Sequence, residues 1–146
     1  MENYKLDDLI NNLIALGPLF KKKLISKYHP SLEGLTPAHF NVLLIVQKIG
    51  PCPISDIANK LMISTPNMSK LLNKLIEEDL LIKVNDKTDR RVINISLNEN
   101  GINYLDKECK SFEKKIKQKL LILDNDDLEK LILSTNMLTE VLSNID

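Results

Sequence analysis

The stretch from Ser55 to Leu97 constrains the fold more than any other part of this chain. It opens with a short run to Leu61 in which Ile57, Ala58 and Leu61 share one helical face. Met62-Ile63-Ser64 follows, and is long enough only for a turn. Ser64 then stands where a helix N-cap belongs, with Ile63 and Met68 spaced as a hydrophobic staple. Met68, Leu71, Leu72 and Leu75 form the buried stripe of that second helix, which runs to about Glu78. Beyond it the period changes. Leu81 to Asn85 reads as a strand, Asp86 to Arg90 as polar turn, and Arg91 to Leu97 alternates Ile93, Ile95 and Leu97 with Val92, Asn94 and Ser96. A two-stranded hairpin is marginal alone and must lean on the helices before it. Two helices on a three-residue turn, followed by such a hairpin, make a winged helix-turn-helix.

Helices flank this core. Leu6, Leu9, Ile10, Leu13, Leu16, Phe20 and Leu24 recur every three or four residues, the mark of an amphipathic helix. Gly17-Pro18 interrupts it, and an interior proline predicts a kink or short break there, with the helix ending before Pro30. Thr36 and Pro37 open the next helix as cap and first residue, Leu35 and Phe40 form its staple, and Gly50 ends it. Pro51-Cys52-Pro53 reads as a rigid connector. Asn98 caps a long helix from about Glu99 to Leu121. Asp124 to Asp127 puts acids on the first turn of a last helix, whose apolar stripe includes Leu128, Leu131, Ile132, Leu138, Leu142 and Ile145. The fold class expected is mainly α with a small β-hairpin wing.

The second helix of the motif carries the chemistry. A helix in this position presents its N-terminal end to base edges in the major groove. Its candidate contacts are Ser64, Thr65, Pro66, Asn67, Ser69, Lys70, Asn73 and Lys74, and no acid lies between Ser64 and Ile76. Asparagine suits adenine and lysine suits guanine, while the helix N-terminus favours phosphate. Lys87, Asp89, Arg90 and Arg91 are the candidate contacts of the wing. The chain has 18 lysines but only these two arginines, side by side at the hairpin turn. Arginine's planar fork suits a narrow A·T minor groove, and Asp89 is placed to pair with one of them.

Charge and cysteine content narrow the class further. The chain balances 20 basic against 20 acidic residues, so bulk charge does not hold nucleic acid; a few basic groups concentrated at the contact must do so. No apolar run approaches the roughly 20 residues needed to span a bilayer, and Met1 to Asp8 has neither a signal-peptide nor a transit-peptide pattern. Cys52 and Cys109 form no CxxC, which suits a reducing cytoplasm and structural thiols. His29 and His39 lack ligand-spaced neighbours, so neither a metal nor a cofactor is expected. No nucleophile-base motif or phosphate loop points to an enzyme.

At Leu35-Thr36-Pro37, Ile57-Ala58, Leu61 to Ser64, Ser69-Lys70-Leu71, Asp89-Arg90-Arg91 and Leu97 to Gly101, the sequence resembles the MarR family of transcriptional regulators. The family's wing and following helix match at Asp89, Arg91, Leu97 and Gly101, with Asn98 where threonine is usual; asparagine caps equally well. The resemblance covers nearly the whole chain. It implies a single domain over 1–146, with 35–101 binding double-stranded DNA and 1–34 with 102–146 forming a helical homodimerisation part. It further implies a repressor on a pseudo-palindromic operator, released by a small lipophilic or aromatic effector. Phe20, Leu24, Tyr28, His39, Phe40 and Leu43 are the candidate lining of that effector's pocket. Two other readings stay open from the residues: a winged-helix protein-interaction module with weak or lost DNA binding, and a regulator that senses oxidants through its thiols.

Overall fold

A computed structural model describes residues 2–26 and 28–145, with side chains from residue 5 onward. The order of elements is α1 (Glu2–Phe20), extended by a wider π-type turn over Lys21–Ile25, then α2 (Pro37–Ile49), β1 (Cys52–Pro53), α3 (Ile54–Leu61) and α4 (Thr65–Glu77). It continues with β2 (Leu81–Asn85), β3 (Ile93–Leu97), α5 (Glu99–Leu120) and α6 (Asn125–Leu142). By contacts the chain divides into two compact units, Met1–Ser26 with Phe112–Asp146, and Lys27–Ser111.

The unit 27–111 is the winged helix-turn-helix. Its core is built from Val42, Leu43 and Val46 of α2, Ile57 and Ala58 of α3, Met68, Leu72 and Leu75 of α4, Leu81 and Ile95 of the wing strands, and Leu105 of α5, all essentially inaccessible. The predicted stripes of α3 and α4 are therefore largely the buried ones, with Leu61 and Leu71 half-buried at their edges. The sheet corrects the expected hairpin: it has three antiparallel strands in the order β1-β3-β2. The connector Pro51-Cys52-Pro53 supplies the third strand, Cys52 pairing with Ile95 and Pro53 with Asn94. An edge position tolerates a proline, which has no N–H to offer a neighbour. Residues Leu81 to Asn85 of β2 pair with Leu97 to Ile93 of β3.

Both helices of the motif end in the same way. Ile63 N–H reaches the Ala58 carbonyl (3.0 Å) and Met62 N–H the Asn59 carbonyl (3.3 Å). Likewise Leu80 N–H reaches Leu75 and Asp79 N–H reaches Ile76. This paired closure requires a left-handed residue, normally glycine, just past the helix. Here Met62 (φ 53°) and Asp79 (φ 55°) occupy it. Asp79 is then clamped: Asn98 Nδ2 donates to its carbonyl and to Oδ1 (2.9 Å each), and Asn100 Nδ2 donates to Oδ2 (2.6 Å). Asn98 also caps α5, its Oδ1 accepting from Gly101 N–H at 2.8 Å. A threonine could cap but has no amide with which to hold Asp79. A Cβ on Gly101 would stand 2.0 Å from the Leu80 carbonyl oxygen, so α5 starts in backbone contact with the wing's base.

The other unit holds α1, the later part of α5 and α6. α1 runs through Gly17-Pro18 without the expected break. The irregularity appears downstream instead, as the π-type turn at Lys21–Ile25. A proline deletes one helical hydrogen bond, and a local widening of the helix is one way to absorb such a defect. Lys119 Nζ donates to the Leu24 carbonyl at 2.9 Å. Asp124 caps α6 through Oδ1, which accepts from Asp127 N–H at 2.8 Å. The apolar positions of these helices are largely uncovered: Leu6, Leu9, Ile14 and Leu19 on α1 and Ile132, Leu133, Met137 and Val141 on α6 are all exposed. No helix among the described residues is long and apolar enough to cross a membrane.

Candidate nucleic-acid interface

The first turn of α4 is unusual in what it lacks. Ser64 sits at the N-cap with extended backbone, but its hydroxyl makes no capping bond, contrary to the expectation from sequence. The turn holds no acid and places Pro66 near its start. Met68 N–H is the amide that pairs back to the Ser64 carbonyl, at 2.9 Å. A helix start with free amides and no carboxylate carries the positive end of the helix dipole to solvent, where an anion is favoured.

Burying Met68, Leu72 and Leu75 turns the opposite face of α4 outward. Ser64, Thr65, Pro66, Asn67, Lys70 and Asn73 are exposed, while Ser69 and Lys74 are half-buried. The two lysines differ. Lys74 pairs with Glu78 one turn later, which raises its ammonium above the usual lysine range. Its end also lies along the Gly34 loop, where an added Cβ would stand 3.4 Å from Lys74 Cε. Lys70 is exposed and has no ion pair among the described residues.

The wing turn is organised by a residue that sequence reading did not single out. Asp86 Oδ1 accepts from Thr88 N–H (2.8 Å), the Thr88 hydroxyl (2.6 Å) and Asp89 N–H (3.1 Å), and its Oδ2 accepts from Asn94 Nδ2 (3.0 Å). These donors, the Thr88 hydroxyl first, hold its carboxyl well below the usual carboxylate range. Asp89 does not make the ion pair expected with an arginine. Its Oδ1 instead accepts from Arg91 N–H at 2.9 Å, which fixes the backbone. Lys87, Asp89, Arg90 and Arg91 are all exposed, so the arginine side chains are free to reach outward from a braced turn.

The residues offered as an effector pocket fall in both units. Phe20 is exposed and Leu24 half-buried in the first. Tyr28, His39, Phe40 and Leu43 are buried in the second. Tyr28 and Phe40 pack as a tilted aromatic pair, ring centres 5.5 Å apart and planes at 58°. The Tyr28 hydroxyl donates to Glu108 Oε2 (2.7 Å), and Ser31 N–H donates to Oε1 of the same residue (3.2 Å). Burial and the Glu108 carboxylate push the Tyr28 phenol upward. Glu108, itself 1% exposed, was not a sequence candidate, since nothing local marks a charged helix residue as buried. His39 completes a capping box at the start of α2: Nδ1 accepts from Thr36 N–H at 3.0 Å. Burial, and then the charge of Lys74, lower its pKa.

The remaining chemistry is quiet. Cys52 is buried and its thiol is pushed up by that burial and by Asp56. Cys109 is half-buried. No group of three or more His, Cys, Asp or Glu that could hold a metal ion occurs among the described residues.

An exposed, acid-free helix start beside a two-arginine wing is the arrangement a DNA reader needs. The comparisons with known proteins agree. The sequence profile of the MarR family matches residues 35–93, from the start of α2 into the wing. The chain thus carries the MarR family's pattern over its winged core. It is 28% identical over 113 residues to the HTH-type transcriptional regulator MhqR of Bacillus subtilis (strain 168), covering 77% of this chain and 76% of that one. It is 30% identical over 98 residues to the HTH-type transcriptional repressor MdtR of the same organism, covering 65% and 63%. In structure it resembles wild-type MarR in its apo form from E. coli, with a TM-score of 0.72 over 90% of this chain and 96% of that one at 18% identity. A MarR family protein from Bacillus stearothermophilus gives 0.69 over 99% of both chains at 16% identity. At such identities these two likenesses bear on the fold alone. Like its MarR family relatives, the chain is a DNA-binding transcriptional regulator and not an enzyme.

Proposed function

We propose that this chain is a homodimeric repressor of the MarR family that binds a pseudo-palindromic operator in double-stranded DNA and works in the cytoplasm, where that DNA is. The observation that carries the DNA-contact assignment is the pairing of the uncapped, acid-free start of α4 with the braced Arg90-Arg91 turn. Asn67, Lys70 and Asn73 read base edges, Ser64 and Thr65 meet phosphate, and the arginines enter the flanking minor groove. Dimerisation is supported by the uncovered apolar positions of α1 and α6, since a stripe of this extent marks an interaction surface. Two copies related by a twofold axis would present two α4 helices to half-sites about one helical turn apart. A small lipophilic or aromatic compound would release the operator by preferring one spacing of those helices.

The test is a fluorescence-anisotropy titration on the promoter region next to the protein's own gene, against a scrambled duplex, at several salt concentrations. Specific binding that falls steeply with salt is expected, with Arg91→Ala weakening it and flattening the salt slope by about one. Absence of binding to either duplex at low salt would favour the protein-interaction module instead.

A further inference from the structure

Behind the wing lies a second feature that DNA binding does not use. An open cleft of about 790 Å³ runs between α3 and the inner side of the wing turn, wholly within the unit 27–111. That volume is in the range of small-molecule sites. Its apolar lining comes from Ile49, Pro51 and Val92, and its rim carries three carboxylates, Asp56, Asp86 and Asp89, against one ammonium, Lys60. Such a surface repels phosphate, so this cleft is not a continuation of the DNA-contact face. It is not a metal site either, because Asp56, Asp86 and Asp89 do not converge into a group that could hold an ion; no such group occurs among the described residues.

Asn94 supplies the independent observation. It lies on β3 next to Ile95; Ile95 points into the core, so Asn94 points to the opposite face of the sheet, where the cleft is. It is 8% exposed, its Nδ2 is committed to Asp86 Oδ2, and its Oδ1 has no hydrogen-bond partner among the described residues. The amide cannot be turned over to relieve this, since its oxygen would then face the Asp86 carboxylate. A buried acceptor left unpaired in a cleft edged by carboxylates calls for a donor carrying positive charge.

We propose that this cleft binds a small organic cation, an ammonium or amidinium carried on an apolar body. The charged N–H groups face Asp56, Asp89 and the Asn94 carbonyl, and the apolar body lies on Pro51 and Val92. Asp86 already accepts four hydrogen bonds and acts as a fixed negative charge, not as a direct partner. Because Asp86 and Asp89 also set the wing turn, occupancy is coupled to the wing's conformation. The proposal does not depend on the operator or on the aromatic effector proposed above.

The probe is benzamidine, with benzoate as the charge-reversed control, titrated into isotope-labelled protein and followed by amide NMR shifts. Benzamidine is expected to shift Asn59, Thr88, Asp89 and the Asn94 side-chain amide, while benzoate leaves them in place. Asp56→Asn and Asp89→Asn, both at exposed positions, each weaken benzamidine about two- to fivefold, the worth of an exposed ion pair. Asp56→Asn leaves the wing-turn amides in place, whereas Asp89→Asn also shifts Arg91, whose N–H donates to the Asp89 carboxylate. Equal shifts with benzoate, shifts confined to other residues, or an affinity unmoved by both substitutions would overturn the proposal.

Discussion

The two units use apolar residues in opposite ways. In the unit 27–111, Leu43, Ile57, Met68, Leu72, Leu75 and Ile95 are sealed and the exposed face is polar. In the other unit, α1 and α6 leave Ile14, Ile132, Leu133, Met137 and Val141 more than half exposed. The winged unit can therefore complete its own core, whereas the helical unit reaches comparable burial only against another surface. Under the proposed dimer that surface is a second copy. Sequence periodicity alone does not separate the two cases, because an amphipathic stripe reads the same whether it packs inward or against a partner.

The sharpest way to break the self-contained unit is Gly101→Ala. The new Cβ would meet the Leu80 carbonyl 2.0 Å away, and that oxygen is backbone and cannot swing aside. We expect a loss of about 3 kcal/mol or more in urea unfolding, the upper range for overpacking. A loss below about 1 kcal/mol would mean that α5 can lift from the wing base at little cost. The matching test of the other unit is the double substitution Ile132→Glu with Met137→Glu. It should weaken self-association by at least about tenfold in sedimentation, roughly 1.4 kcal/mol, and leave the amide spectrum of 27–111 in place. Unchanged association would place the proposed dimer contact elsewhere.

How much of this was legible in the sequence differs between the same regions. Helices α2 to α4 and strands β2 and β3 were visible because each has a long enough period and a cap or turn signal of its own. Strand β1 was not: two residues beside prolines carry no period, and only the approach of β3 makes them a strand. The exposed contacts of α4 and the wing follow from knowing the buried stripe. The Asp79 clamp and Glu108 were hidden because each depends on partners 19 to 80 residues away that only the fold brings near. Asp86, by contrast, was missed although three of its four bonds are to Thr88 and Asp89, close by in sequence. The missing bond at Ser64 was hidden too, since a residue type can promise a cap without making it.

A smaller effect sharpens the comparison from the stabilising side. Met62 is 96% exposed and held at positive φ, so its side chain contributes no core contact to offset the strain. Met62→Gly should raise the stability of the winged unit by about 0.5–1 kcal/mol, the left-handed penalty less the added chain entropy of glycine. If stability instead falls, the exposed methionine has a contact that outweighs the strain.

The smallest effect expected is a dependence on mild acid located in the winged unit, at His39. Its ring accepts from Thr36 N–H through Nδ1, so the ring is neutral there, and protonation would remove that acceptor. Burial, Lys74 and the positive start of α2 all oppose the charged form. The folded pKa therefore lies below the ordinary 6.5. The sign follows: above that value neither state binds the proton, and the stabilisation is complete. As pH falls below it the unfolded chain takes up a proton first, and stability declines until the folded ring also titrates. Asp86 follows the same logic in a lower window, because its carboxyl is held below the usual range, so the two losses separate on the pH axis. Glutamine at position 39 keeps a capping-box acceptor without a titrating ring. His39→Gln should match the parent in urea unfolding at pH 8 and lose less stability between pH 6.5 and 5. If the parent and the variant fall together over that interval, the acid sensitivity belongs to another group, and the neutral His39 cap contributes nothing that pH can remove.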